Sequence, residues 1–508
     1  MPPNPVIPGF HPDPSVCQVG EDYYLACSSF EYFPGAPIFH SRDLETWQQV
    51  GNALDRPSQL RLATAPSSGG MYAPTLRHHD GRFWLITTNV SDRGHFIVTT
   101  EDPAGPWSEP VVLDDLPGVD PDLAWDEDGT CWCTFATFGA DAGTIAQVAI
   151  DPSTGLLLGE PRPIWSGTGL ASPEAPHLYR IDDQWYLLVS EGGTSRGHAV
   201  SVARAPAATG PFEGCPANPV LSHRSTDSPV QSTGHGDLVR APDGSWQLLL
   251  LGVRPRGGFP GFHVLGRETF RTTVRWAEGW PLPAPVTVDD VRAPSDGDTM
   301  SDGDTPPDRT PPGTRERDDF DAPALASRWI SVRERVPASF SLSDRPGWLT
   351  LHGSGDSLDD PVPTFVGRRQ EHHDGRVRAL LDPGTGRGGL GVRLDERHHV
   401  RIEVADGEVR CIARIGPAIQ TLAVRAVEPG PVVLGVDIEA SPAHSDVGAP
   451  PDTLRLGLET GGTFVPLAEL DGRYLSSEVA GGFTGRVIGV FATEGTIAVD
   501  WFDYEGGI

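Results

Sequence analysis

Residues 13–26 read DPSVCQVGEDYYLA, and the pattern inside this stretch decides the fold. A short segment built on a Pro or Gly, a polar residue and an apolar one is followed, across an acidic turn, by an aromatic-rich strand. The pattern returns as APTL with DGRFWLITTN, DPDL with EDGTCWCTFA, APHL with DDQWYLLVSE, and HGDL with DGSWQLLLLG. The segments end on Val16, Leu76, Leu123, Leu178 and Leu238. The matching strand positions, eight or nine residues on, are Tyr24, Trp84, Trp132, Tyr186, and Trp246 or Gln247. Copies recur roughly every 50 to 60 residues, the period of propeller blades made of several short strands. Residues 1–290 are therefore expected to form a five-bladed β-propeller. The first strand of each blade lines the propeller axis, so equivalent positions converge there. They hold Asp13, Ala73, Asp120, Ala175 and His235, with Tyr72 and Glu174 immediately before the two alanines. Asp13, Asp120 and Glu174 are thus expected to face one funnel, the prolines beside Asp13 fixing the backbone that aims it.

The composition agrees with an all-β chain. Its 508 residues include 60 Gly and 50 Pro, and the apolar fraction is 38%. Apolar runs such as WQLLLLGV are short, β-rich and bounded by turn residues. Acidic residues outnumber basic ones 69 to 39, a formal net charge of −30. That balance disfavours nucleic acid and anionic membranes as partners and is compatible with a neutral carbohydrate. Six cysteines lack zinc-site spacing and read as reduced core residues. The N-terminus carries no basic segment followed by an apolar stretch, so the chain reads as cytoplasmic. Two HHDGR segments, His78–Arg82 and His372–Arg376, read as surface Asp-Gly turns before strands.

Three converging carboxyls suit inverting glycoside hydrolysis, which needs a base for water and an acid for the leaving oxygen. They equally suit a calcium ion, whose ligands are hard oxygens. Spacing alone does not choose between the two. The linked segments NPVIPGFHPDPS, SSFEYFPGAPIFHSRDLETW, GVDPDLAWDEDG, EAPHLYR, TGHGDLV and HVLGRETF, in this order, resemble the family 43 glycoside hydrolases, in particular their two-domain β-xylosidase and α-L-arabinofuranosidase-like branch. The resemblance covers essentially the whole chain. It implies Asp13 as general base, Glu174 as general acid, and Asp120 as the residue that orients Glu174 and tunes its pKa. It also implies that Arg267 contacts sugar hydroxyls, the alternative being an ion pair with Glu268. Phe30 becomes a wall of the sugar pocket or an ordinary core residue. Tyr72 stands where related enzymes often carry Trp. His235 matches a histidine that in some relatives meets a central calcium; otherwise it is a hydrogen-bonded structural residue.

Residues 291–317 are rich in Asp, Pro, Gly and Thr and read as a linker. From 318 to 508 strands resume. Leu390, Val392 and Leu394 alternate onto one face, as do Val400, Ile402 and Val404 leading into an Asp406-Gly407 turn, and a β-sandwich is expected. The resemblance implies that the AGGFTGRVIGVF segment sends Phe483 to the active-site mouth. The expected function is an exo-acting inverting hydrolase releasing terminal β-D-xylose from xylo-oligosaccharides, with no cofactor required for the chemistry. The alternatives are an α-L-arabinofuranosidase acting on arabinoxylan oligosaccharides, a bifunctional enzyme, a retaining fructosidase-type propeller, or a non-catalytic carbohydrate-binding propeller.

Overall fold

The computed structural model describes residues 4–138, 143–288, 314–335, 338–442 and 446–507. Up to residue 283 it is built from five antiparallel sheets, each running outward from a first strand. Those first strands are Ser15–Val19, Thr75–His79, Val119–Trp125, Glu174–Ile181 and Gln231–Arg240. Each packs beside the next, and the fifth packs beside the first, closing a ring. The repeat read in the sequence sets a common register. Cys17 faces Tyr24, Arg77 faces Trp84, Ala124 faces Trp132, Tyr179 faces Tyr186 and Val239 faces Gln247. In the fifth copy Gln247, and not Trp246, is therefore the equivalent position. The larger spacing in the third and fifth copies is absorbed in the turn between the strands.

In four of the five repeats the opening residue is held in an unusual backbone conformation. Asp13, Asp120, Ala175 and His235 have φ of 58°, 53°, 52° and 48°, a left-handed region that non-glycine residues seldom enter. Three of the four precede a proline, which disfavours the right-handed helical alternative. Register shifts between Val119 and Asp122, Glu174 and His177, and Gly234 and Asp237 add bulges at the same level. Such bulges re-aim side chains beside sites. Here each shift spans the first residue of its repeat, Asp120, Ala175 or His235.

Two residues further along, the repeat builds a second, fully buried layer. Its members are Ser15, Asp122, His177 and Asp237, joined by Arg77. The Arg77 guanidinium bonds Asp122 at 2.7 Å, Asp237 at 2.9 Å and His177 Nδ1 at 2.9 Å. Each carboxylate also clamps its neighbour's backbone: Val16 N–H donates to Asp237 at 2.9 Å and Leu178 N–H donates to Asp122 at 2.9 Å. Ser15 Oγ receives Leu76 N–H and donates to Asp237. Tyr179, hydrogen-bonded to Asp237, receives Leu238 N–H. The first strands are thus cross-tied around the axis by charge-assisted hydrogen bonds.

The C-terminal part is a sandwich of an eight-stranded and a six-stranded antiparallel sheet. Leu390, Val392, Val400, Ile402 and Val404 fill the core between them. The hairpin of His398–Ala405 with Glu408–Ile415 turns on Asp406 and Gly407, both at positive φ. Thr314–Asp318 pair with the last strand, so the sandwich begins inside the stretch read as linker. Residues 291–313 of that linker lie outside the described residues. The two parts are joined by a short strand pair, Ser331–Val332 with Tyr32–Phe33. All six cysteines are free and buried. The second HHDGR segment differs from its reading as a surface turn. His373 is buried and Asp374 accepts the Ala440 N–H, because Gly375 starts a strand at the sheet's centre.

Removing Arg77 would leave two fully buried carboxylates without their cation. Arg77→Met is expected to lower folding stability by about 3–5 kcal/mol. Denaturant unfolding followed by tryptophan fluorescence reads this, and an unchanged midpoint would show that the axial pairs carry no net stabilisation.

Candidate active site

Above the Arg77 layer lies a cavity of about 240 Å³ lined by Asp13, Phe30, Tyr72, Asp120, Glu174, His235, Arg267 and Phe483. The structure therefore brings together every site residue named from the sequence. It adds Thr194, Ala73, Val119 and Phe138 to the lining. Larger cavities occur at the seam between the domains, but no three carboxyls converge in them.

The three carboxyls sit in different surroundings. Asp13 is buried, accepts a 2.5 Å hydrogen bond from Ser28 Oγ, and lies 3.3 Å from an Arg267 nitrogen and 3.4 Å from His235 Nδ1. Burial pushes its carboxyl up, but Arg267, His235 and the Ser28 hydroxyl outweigh that and hold it below its usual value. Asp120 is the opposite case. Desolvation, reinforced by the nearby carboxyls of Glu174 and Asp13, drives it well above the carboxylate range, against the 3.1 Å hydrogen bond donated by Ala175 N–H. Glu174 is partly open, with a side chain 24% exposed and one oxygen 3.3 Å from His198 Nε2. The surroundings thus divide the carboxyls, Asp13 being held below its ordinary value and Asp120 pushed above it. That separation of carboxyl environments is what general acid–base chemistry on one bond requires.

Arg267 Nη1 bridges Asp13 and Thr194 Oγ1, the latter at 2.8 Å. It does not pair with Glu268, whose carboxylate is taken by Arg254 at 2.7 and 2.8 Å. The guanidinium also rests against two aromatic faces, Phe30 at 5.5 Å and Phe483 at 5.2 Å. Phe30, Tyr72 and Phe483 form a three-ring wall with centroids 5.7 to 6.1 Å apart. Phe483 comes from the sandwich. Its loop approaches so closely that a Cβ on Gly485 would lie 2.2 Å from Leu265 O, and one on Gly266 would lie 2.7 Å from Gly485 N. Only glycine fits either place.

His235 is held neutral near pH 7, burial lowering its pKa to about 4 against the pull of Asp13. The oxygen donors that a calcium ion at the axis would need do not fit that ion. Asp122 and Asp237 are bound by Arg77, and Asp13 by Arg267. Among the described residues, no group of three or more His, Cys, Asp or Glu is arranged to hold a metal. Thr194, His198 and Phe138 escaped the sequence reading. The first two lie on a loop between strands Gln184–Glu191 and Ala199–Ala205, where the repeat has no counterpart.

A ring of strands whose mouth gathers three carboxyls in unlike surroundings beside an aromatic wall is an arrangement that suits a glycoside hydrolase. Comparison with known proteins agrees. The glycosyl hydrolases family 43 profile matches residues 2–281, and that of the beta xylosidase C-terminal concanavalin A-like domain matches residues 317–505. This chain belongs to glycosyl hydrolase family 43. It is 36% identical to a xylosidase/arabinosidase of Butyrivibrio fibrisolvens, across 99% of this chain and 98% of that one. It is also 36% identical to a non-reducing end alpha-L-arabinofuranosidase of Bacteroides ovatus, across 99% and 94%. The crystal structure of a xylan beta-1,4-xylosidase from Bacillus halodurans superposes with a TM-score of 0.84 at 32% identity, covering 99% of this chain and 100% of that one.

Behind the wall, the buried Glu31 accepts Ser68 N–H at 3.0 Å, and Ser68 Oγ in turn receives Phe483 N–H at 2.8 Å. Burial, only partly offset by Arg393, raises Glu31 to about 7. A carboxyl raised in the folded state favours folding below its unfolded pKa and loses that contribution as pH rises through 7. Relative to Glu31→Gln, the wild type is therefore expected to lose up to about 3 kcal/mol of stability between pH 4.5 and 8. Unfolding midpoints of both proteins across that range read the difference, and parallel profiles would refute the assignment.

Proposed function

We propose that the protein is an exo-acting, inverting hydrolase that removes terminal β-D-xylose from xylo-oligosaccharides. The observation that carries this reading is the cavity of about 240 Å³, walled by Phe483 of the sandwich opposite the carboxyls of the ring. A pocket of that size, closed by an aromatic wall from a second domain, suits one terminal sugar and not the middle of a chain. The five sheets are read as the blades of a closed propeller, the linker and sandwich following as separate units.

Asp13, held ionised, takes a proton from water. The water oxygen attacks the anomeric carbon from the face opposite the leaving group as the glycosidic bond breaks. Glu174 gives its proton to the departing oxygen, and the anomeric configuration inverts. Asp120 lies close enough to interact with Glu174 and orients it toward the departing oxygen. Arg267 and the three rings hold the sugar. Neutral His235 and Arg267 position Asp13. Arg77 supplies the axial positive charge, and no calcium is assigned.

A second reading, release of terminal α-L-arabinofuranose, is favoured by the similarity to the xylosidase/arabinosidase of Butyrivibrio fibrisolvens and the alpha-L-arabinofuranosidase of Bacteroides ovatus. Product release from xylotriose and from an arabinose-substituted xylo-oligosaccharide separates the two. Stepwise xylose from xylotriose supports the first, and arabinose with xylotriose untouched supports the second. Proton NMR of the first-formed sugar is expected to show the inverted anomer; the retained one would overturn the mechanism.

Asp13→Ala and Glu174→Ala are each expected to lose about 10³-fold or more in kcat on xylobiose. Glu174→Ala should lose much less on an aryl glycoside with an acidic phenol, and equal losses would contradict its role as acid. Arg267→Gln removes the cation that holds Asp13 down, so the acid limb of kcat/KM should move to higher pH. Asp120→Asn should move the alkaline limb to lower pH. Overnight chelation with EDTA is expected to leave kcat unchanged, and a loss restored by calcium would reinstate an axial ion.

A further inference from the structure

The seam between the domains encloses a second cavity, of about 570 Å³, where the Ile7–His11 segment meets the end of the sandwich strand Thr364–Arg369. Three arginines line it, Arg328, Arg368 and Arg369, against two glutamates, Glu316 and Glu371. Arg328 pairs with Glu316. Arg368 bonds Glu316 at 2.6 Å and Glu371 at 3.0 Å through its two terminal nitrogens, its Nε alone lacking a partner among the described residues. Arg369 is not. It is 3% exposed, and its Nε and Nη2 are buried without a hydrogen-bond partner among the described residues. Its charge rests over the Phe10 ring, at 4.5 Å.

The carboxylate that acts on that charge, Glu371, is already bonded to Arg368 and makes no hydrogen bond to the unpartnered Nε and Nη2. His11 is held well below its ordinary pKa by burial and then by Arg369 itself, and its Nδ1 meets Pro8 O at 2.9 Å. Burial pushes the Cys27 thiol up, so it stays neutral as well. Desolvation lowers Arg369 only to about 10, which leaves it cationic at neutral pH. A buried, unpaired guanidinium is strongly unfavourable, and natural structures meet such groups with an ion, water or partner. The same cavity is lined by Trp47, whose indole N–H is also buried without a partner.

We propose that this cavity is an oxyanion-binding site, in which Arg369 presents its planar fork to a carboxylate or phosphate group. The guanidinium matches two oxygens at once, and the net charge of the lining calls for one negative charge. The volume exceeds that of an inorganic ion, leaving room for a sugar-sized body such as a hexuronic acid. Bound anion would bridge the propeller segment and the sandwich, stabilising the folded two-domain chain by mass action.

The test uses the full chain and three titrants at constant ionic strength: potassium phosphate, sodium glucuronate and potassium chloride. Thermal unfolding is recorded alongside isothermal titration calorimetry. Phosphate or glucuronate is expected to raise Tm saturably where chloride does not, and whichever binds more tightly identifies the source of the oxyanion. Arg369→Met should abolish the saturable rise. Arg369→Lys, which keeps the charge and loses the fork, should weaken binding at least tenfold. No saturable response to either oxyanion overturns the proposal. So does an unchanged affinity in both variants, which would place the binding elsewhere, including the sugar pocket.

Discussion

The guanidinium of Arg77 is the constraint on which the architecture turns. It lies on the axis with a side chain only 15% exposed, between two carboxylates that are fully buried. Burial opposes its charge, but Asp237 and Asp122 more than compensate and push its pKa up. Asp237 is held down near 2 by Arg77, His177 and the Tyr179 hydroxyl, against the effect of desolvation. None of these groups is tolerable alone in that environment. Together they specify which strand sits beside which, because each carboxylate spends its remaining lone pairs on a neighbouring strand's backbone.

The catalytic level inherits its geometry from this plug. Asp13 stands two residues from Ser15, Asp120 two from Asp122, and His235 two from Asp237, so the reacting groups ride on backbone that the buried layer has already fixed. The left-handed conformations at Asp13, Asp120 and His235 persist because both ends of each segment are pinned. Electrostatics then divides the carboxyls. Arg267 bonds Asp13 and lowers it, while for Asp120 a backbone N–H and a weaker pull from Arg267 do not offset desolvation and two neighbouring carboxyls.

Much of this was legible in the chain. The recurrence of DPSV, APTL, DPDL, APHL and HGDL located the axial strands, and with them Asp13, Asp120 and Glu174, because ring closure brings equivalent positions together whatever their separation in sequence. The third position of the same repeats, Ser15, Asp122, His177 and Asp237, carried an equally readable polar signal that went unused. Arg77 was harder to see. It falls one place past the repeat's apolar residue in a single copy, and nothing local marks it as a buried cation. Thr194 and His198 sit on a loop whose path depends on tertiary packing, and the unpaired Arg369 has meaning only once two domains close over it. The resemblance, by contrast, reached Phe483, which no periodicity in the sandwich would have singled out.

The glycine-to-glycine approach of Gly266 and Gly485 has a consequence for how this molecule ages. Because one wall of the sugar pocket belongs to the sandwich, the pocket exists only while the two domains remain docked. Parting the seam would take Phe483 away from the carboxyls even where every sheet of the ring kept its fold. Loss of activity and global unfolding are then separable events, and the first needs only the domains to part. An effort to make the enzyme more durable belongs at the seam, where a small gain in adhesion preserves the whole of the activity.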